Sequence, residues 1–244
     1  MPHRPIFFCH IPKTAGTSLR TAFERAFEPD EIVPQVAQIR QNGGLYPTIE
    51  TVVATLASNP VPVRLLRGHY HYSLHEALDD PVKIVVLREP VARTISALKH
   101  EVANDMSKKD EILAKLDRGV LPIPDNHMTR FLSGSMKDSG GAFRHARQRS
   151  LFRDPIVNAE EQLREAMDNL KGIDILAVTE RMDLVEEPLM AFGAKMPKAR
   201  LNKARIPEME LNERQMETIR EHNALDVRLY RAALNHLGLD PAVE

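Results

Sequence analysis

The chain has little with which to staple itself together and nothing with which to cross a bilayer. Its 244 residues include one cysteine, Cys9, and no tryptophan. A single cysteine excludes an intrachain disulfide and a structural zinc cluster built from cysteines. Cys9 reads as a small buried hydrophobe in a strand. No apolar run approaches the roughly 18 residues that a spanning helix needs. The opening Met1-Pro2-His3-Arg4 lacks the apolar core of a signal peptide. From these absences we expect a cytoplasmic protein without a membrane span. Surplus charge is missing as well. With 33 basic and 34 acidic residues the formal net charge is −1, so no global field draws the chain to nucleic acid. Any site for a polyanion must be built locally. No metal-ligand spacing stands out, and no metal is expected. Repeats and low-complexity blocks are absent too, and 43% apolar with 27% charged residues is ordinary for a globular protein. The length suits a single α/β domain over residues 1–244.

What the sequence does contain begins with an apolar strand running into a lysine-bearing loop. The segment is Pro5-Ile6-Phe7-Phe8-Cys9-His10-Ile11-Pro12-Lys13-Thr14-Ala15-Gly16-Thr17-Ser18-Leu19. Ile6 to Cys9 reads as a short buried strand. Thr17 or Ser18 is positioned to cap a following helix whose apolar face is Leu19, Phe23 and Phe27. Ala15 and Gly16 let backbone approach a ligand, alanine being suitable at residue 15 as long as φ there is negative. First-turn N–H groups and the helix dipole would then favour an anion. Lys13, Thr14, Thr17 and Ser18 add a cation and three hydroxyls. The lysine precedes the glycine, so this is not the GxxxxGK[ST] loop of nucleoside-triphosphate enzymes.

A second strand, Lys83 to Leu87, is another continuous apolar run of the parallel-sheet kind. It ends in Arg88-Glu89-Pro90-Val91-Ala92-Arg93-Thr94-Ile95-Ser96. Pro90 suits the first turn of a helix. Arg88 therefore stands at the carboxyl end of a strand, where open α/β sheets place ligands. Ser96 follows two helical turns on, within reach of the same phosphate.

The order Pro12-Lys13-Thr14-Ala15-Gly16-Thr17-Ser18 resembles the 5′-phosphosulfate loop of sulfotransferases that use 3′-phosphoadenosine 5′-phosphosulfate (PAPS). The carbohydrate type usually reads HIPKTGGTS. Arg88 to Ser96 is similar to that family's 3′-phosphate segment, LRDPVxRxxS, with Glu89 for aspartate. Arg67-Gly68-His69-Tyr70-His71 falls where the uronyl and heparan 2-O enzymes carry a Gly-His with their candidate base. Weaker likenesses follow in order: Asp125 to Gly134 to NxxTRxLxG, Ala177 to Asp183 to GLTERFD, and Asn223 to Tyr230 to NxxDxxLY.

The resemblance implies a P-loop-type parallel sheet flanked by helices and sulfonate transfer from PAPS to a hydroxyl. A carbohydrate or glycoconjugate acceptor is the expectation, with PAP as product. Lys13 would neutralise charge on the bridging oxygen, and Lys13 to Ser18 would hold the 5′-phosphate. Arg88 and Ser96 would hold the 3′-phosphate. His69 is the expected general base and His71 its reserve, on the same face if the stretch is extended. His10 reads as a loop brace, and Glu180 with Arg181 as an ion pair near the donor. A small-molecule kinase and a non-catalytic nucleotide-binding module are the alternatives.

Strands are expected at Ile6–Cys9, Val63–Leu66, Lys83–Leu87 and Ile175–Val178. Helices are expected at Thr17–Phe27, Ile49–Ala57, Pro90–Val102, Asp110–Leu116, Asn126–Leu132, Ala159–Leu170, Met182–Phe192 and Asn212–Leu237. The stretch 137–154, with Gly140-Gly141 followed by Arg144, His145, Arg147, Arg149 and Arg153, reads as a mobile loop over or beside the site.

Overall fold

The computed structural model describes residues 4–133, 156, 158–197 and 208–240; the basic stretch 137–154 lies outside the described residues. Five strands form one all-parallel sheet: β1 (Ile6–Cys9), β2 (Ile32–Val33), β3 (Leu65–Gly68), β4 (Val82–Leu87) and β5 (Ile175–Val178). Their spatial order is β2-β3-β1-β4-β5. The helices are α1 (Gly16–Ala26), α2 (Val36–Gln41), α3 (Ile49–Ser58), α4 (Pro90–Asn104), α5 (Lys108–Asp117), α6 (His127–Leu132), α7 (Ala159–Lys171), α8 (Asp183–Ala191), α9 (Glu213–His222) and α10 (Ala224–His236).

Both faces of the sheet are covered, which is why the strands are continuous apolar runs. Alternate residues of β1 enter different cores. Ile6 and Phe8 pack with Leu65, Ile84, Ala177, Leu19 and Phe23, on the side of α1 and α8. Phe7 and Cys9 pack with Leu66, Val85, Leu87 and Val178, on the side of α3, α6, α7 and α10. A third apolar cluster joins α4, α5 and α9 through Leu98, Val102, Ile112, Leu116 and Ile219. Among the described residues no helix is long and apolar enough to cross a membrane.

β1 and β5 have the expected bounds, and β4 starts one residue early. The third strand is shifted to Leu65–Gly68, and Val63 lies before it. The short β2 and α2, and the 3₁₀ turns at Pro29–Glu31 and Tyr72–Ala77, carry too few residues for a readable period. The expected long last helix is two helices. Asn223 breaks it by turning its side chain onto the chain: Nδ2 donates to the Ile219 carbonyl at 2.7 Å, and Oδ1 accepts from the Thr94 hydroxyl at 3.1 Å. Side chains of this type compete with the helical ladder in that way.

Because every strand is parallel, the segments after β1, β3, β4 and β5 leave from one edge. β1 sits where the chain order reverses, with β3 on one side and β4 on the other, the usual place for a ligand crevice.

Candidate functional site

Register sets the heights of the groups on this edge. Cys9 is level with Gly68 of β3 and with Val85 of β4. His10 and His69 therefore leave the sheet side by side, and the His10 N–H donates to the Gly68 carbonyl at 3.0 Å. β4 runs on through Val86 and Leu87, so Arg88 stands three residues above that level, about 10 Å at strand spacing. There the Arg88 guanidinium meets the loop after β1. Its Nη1 donates to the Lys13 carbonyl at 3.2 Å. The two strand-end segments singled out in the sequence are thus joined by a hydrogen bond.

The loop itself is tightly turned. Lys13 has φ 71° and Ala15 φ 61°, both left-handed. Ala15 takes that conformation as the residue before α1, so the expected negative φ is corrected: alanine stands here at a conformational cost. The expected capping by Thr17 or Ser18 is corrected as well. Both lie inside the first turn of α1, whose N-cap is Ala15 and which has no side-chain cap. That leaves the first turn of α1 to a ligand rather than to its own side chains. Thr14 is buried, and its hydroxyl donates to the Ile11 carbonyl at 2.9 Å. The hydroxyl thus braces the loop, and a ligand would meet the Thr14 backbone. Gly16 is required by packing: a Cβ there would lie 2.0 Å from the His10 ring. His10 is the brace expected from the sequence, stacked on Phe8 with centroids 5.3 Å apart. Burial, followed by the Arg88 charge, lowers the Lys13 pKa from its ordinary value.

Across the crevice, Glu89 is the N-cap of α4. Its carboxylate accepts from the Val91 and Ala92 N–H groups at 2.9 and 2.6 Å, with Pro90 at the first helical position. α4 is thereby closed by its own side chain, and Arg88 keeps its guanidinium on the loop side. Ser96 lies two turns into α4. One turn further, His100 has its pKa lowered by burial and then by the Lys13 charge. Ser96 and His100 share a helical face at i, i+4.

His69 packs against His10 (centroids 4.4 Å) and edge-on against Tyr46 (4.9 Å). Its Nδ1 lies 2.6 Å from the His10 carbonyl oxygen. A carbonyl only accepts, so Nδ1 carries the hydrogen and Nε2 holds the lone pair of the neutral ring. Burial lowers the His69 pKa, opposed by this hydrogen bond and reinforced by Arg20 and Arg67. The extended geometry supposed for His71 does not occur. The strand ends at Gly68, and His71 precedes the 3₁₀ turn, stacked on Phe131. Burial pushes its pKa down to about 4.

The weaker sequence segments hold one another. Asn126 and Asp226 cap reciprocally. The Asp226 carboxylate accepts from the Met128 and Thr129 N–H groups and the Thr129 hydroxyl at 2.7–3.0 Å. The Asn126 Oδ1 accepts from the Leu225 and Asp226 N–H groups at 2.9 and 3.2 Å. Arg130 pairs with Asp125. The expected Glu180–Arg181 pair is replaced by separate partners. Glu180 accepts from the Tyr230 hydroxyl at 2.9 Å, and Arg181 pairs with the adjacent Asp183 at 2.6 Å. Glu180 leaves the end of β5 beside β4, where the Thr179 N–H reaches the Leu87 carbonyl.

Sequence reading missed Tyr46, the buried Arg67 and its partner Glu24, and His100. A tyrosine in a Gly-Gly-containing connection and an arginine inside an apolar strand were the signals available. The family comparison covers most of the molecule: the model of the sulfotransferase family matches residues 1–231. The chain belongs to the sulfotransferase family. A comparison with curated proteins gave no match. Membership makes the protein a transferase of sulfonate groups, and such enzymes generally take the group from PAPS and pass it to a hydroxyl-bearing acceptor.

Proposed function

We propose that this single sulfotransferase unit is a cytoplasmic PAPS-dependent O-sulfotransferase acting on a hydroxyl of a carbohydrate or glycoconjugate. The observation that carries the reading is the Arg88–Lys13 hydrogen bond, because it makes one crevice of two anion-binding strand ends. The loop Lys13-Thr14-Ala15-Gly16-Thr17-Ser18 takes the 5′-phosphate through backbone N–H groups and the Lys13 ammonium. Arg88 and Ser96 take the 3′-phosphate. This spacing suits a nucleotide bisphosphate lying across the ends of β1 and β4.

In the transfer step the acceptor oxygen forms a bond to sulfur as the bond from sulfur to the bridging oxygen breaks. The electron pair stays on the 5′-phosphate of PAP, where Lys13 offsets its charge. Positioning and charge stabilisation supply most of such catalysis. The acceptor proton passes to Nε2 of His69, the lone-pair nitrogen fixed by the bond from Nδ1 to the His10 carbonyl. His71, turned toward Phe131, is the less suited of the two. The acceptor class rests on the resemblance to the uronyl 2-O type.

Calorimetry tests the donor site. PAP should bind in the presence of EDTA, and Arg88→Ala should weaken it strongly. Equal affinity in the variant would remove the 3′-phosphate site, and a strict magnesium requirement would point instead to phosphoryl transfer.

A further inference from the structure

Among the described residues, four of the buried polar atoms without hydrogen-bond partners belong to three residues near His69: Arg67, Tyr46 and His10. Arg67 is 0% exposed, and one guanidinium nitrogen pairs with Glu24 of α1. Its Nε and Nη1 are buried without hydrogen-bond partners. The Tyr46 hydroxyl and His10 Nδ1 are buried and unpartnered too. Native proteins satisfy nearly all such groups, and each one left open costs about 1–3 kcal/mol. The residues that carry these four atoms are linked to one another through Tyr46 and His69. Tyr46 stands edge-on to His69, the Arg67 guanidinium lies 5.7 Å from the Tyr46 ring centre, and His10 touches His69. Their grouping around the His69 imidazole, whose Nδ1 is engaged by the His10 carbonyl, marks a ligand subsite.

The sheet order says which ligand. Arg88 and Ser96 occupy the β4 side of the loop after β1. Tyr46 and His69 occupy the β3 side. A donor spread over β1 and β4 leaves only the β3 side for the group that receives sulfonate.

The segment that carries Tyr46 is uncrowded at one end and pinned at the other. Tyr46 follows Gly43 and Gly44, at φ 64° and 84°, where an added Cβ would meet nothing within 4 Å. Leu45 beside it is 55% exposed. The far end is pinned, because the Tyr70 hydroxyl donates to the Pro47 carbonyl at 2.9 Å and Thr48 caps α3. Gly68 completes the fit: a side chain there would strike Tyr70 at 2.3 Å and press on Tyr46 at 3.0 Å.

We infer that Tyr46 is a specificity-determining contact for the acceptor, its ring forming the wall of the subsite and its hydroxyl bonding an oxygen next to the one that reacts at His69. An aromatic ring with a polar tip, beside an exposed leucine and a buried guanidinium, suits a ring with an apolar face and several oxygens, as in a pyranoside. The assignment rests on the sulfotransferase reading given above and names the residue that selects the acceptor.

The test titrates methyl β-glucopyranoside into protein carrying ¹³C-labelled tyrosine and histidine, with and without PAP. Tyr46 and His69 resonances should shift while the other tyrosines stay put. Tyr46→Phe keeps the ring and the fold, and should weaken the sugar roughly fivefold, the worth of about one hydrogen bond. Its PAP affinity should remain within about twofold of the unaltered protein, because Tyr46 lies on the β3 side. Sugar that leaves Tyr46 and His69 unshifted up to its solubility limit, or binds Tyr46→Phe equally well, overturns the assignment. Failure of PAP to bind the unaltered protein is a separate result. It would end the donor reading, while the PAP-free titration would still decide Tyr46.

Discussion

Replacing Ala15 by glycine should make the protein more stable, although it removes a methyl group. Ala15 holds φ 61°, ψ 9° as the residue before α1, its side chain is exposed, and it caps nothing. An L-residue in this region costs about 1–2 kcal/mol. Glycine gives back about 0.4–1 kcal/mol through the larger freedom of its unfolded chain. The difference is a net gain of about 0.5–1 kcal/mol, with no packing lost. Glycine is also the better N-cap of the two. Urea unfolding should show a higher midpoint at unchanged slope. In a chain of this size that gain corresponds to a rise in Tm of about 1–4 °C. Ala15→Val should move the other way, because a β-branched side chain tolerates positive φ least. A glycine variant with an unchanged or lower midpoint, together with a neutral valine variant, would refute a left-handed residue 15 and with it the loop geometry proposed to hold the 5′-phosphate.

Lys13→Ala should fold normally and lose about 100- to 1,000-fold in transfer rate, the usual worth of one placed charge stabiliser; near-native turnover would make the lysine a surface group. His69→Ala should lower the rate by about 100- to 10,000-fold with PAP affinity kept, and His71→Ala should be milder in rate; an inactive His71→Ala beside an active His69→Ala would exchange the roles. Stability should fall as pH drops below the ordinary histidine value of 6.5. His10, His69, His71 and His127 all have lowered pKa values in the fold, chiefly from burial, so below 6.5 the unfolded chain binds more protons, each ring contributing up to about 1.4 kcal/mol per pH unit. A flat urea midpoint between neutrality and mild acid would contradict that burial. Asp226→Ala should destabilise by several kcal/mol, since it leaves two N–H groups and a hydroxyl of α6 unsatisfied and Arg93 without its nearest buried counter-charge; a loss under about 1 kcal/mol would mean the reciprocal cap is idle.

The parallel sheet was legible because both of its faces are buried, which writes β1 and β5 as unbroken apolar runs. Ile6–Cys9 and Ile175–Val178 could be bounded to the residue on that signal alone. β2 was not legible: two residues carry no period, and it exists only because β3 offers it an edge. The last helical segment misled for a different reason. Its apolar stripe continues through Asn223, and nothing local says that this asparagine will bond Thr94 of α4 and interrupt the ladder. Tertiary partners decided that boundary.

The site divides along the same line. Lys13 and Arg88 follow apolar runs, so their placement at strand ends could be read from the sequence, and parallel pairing of β1 with β4 then brings them together. What selects between His69 and His71 could not be read, because it depends on where β3 stops. Glycine at position 68, at φ 155°, carries the backbone out of the sheet, and the two histidines part there: one to the His10 carbonyl, the other to Phe131. The later segments, each weak alone, gain their meaning only in pairs. Asn126 meets Asp226, and Glu180 meets Tyr230, across 100 and 50 residues of sequence. Such pairs position α6 and the end of β5 around the crevice without entering it. They do so by constraining each other, while the reacting groups need only the strand ends that carry them.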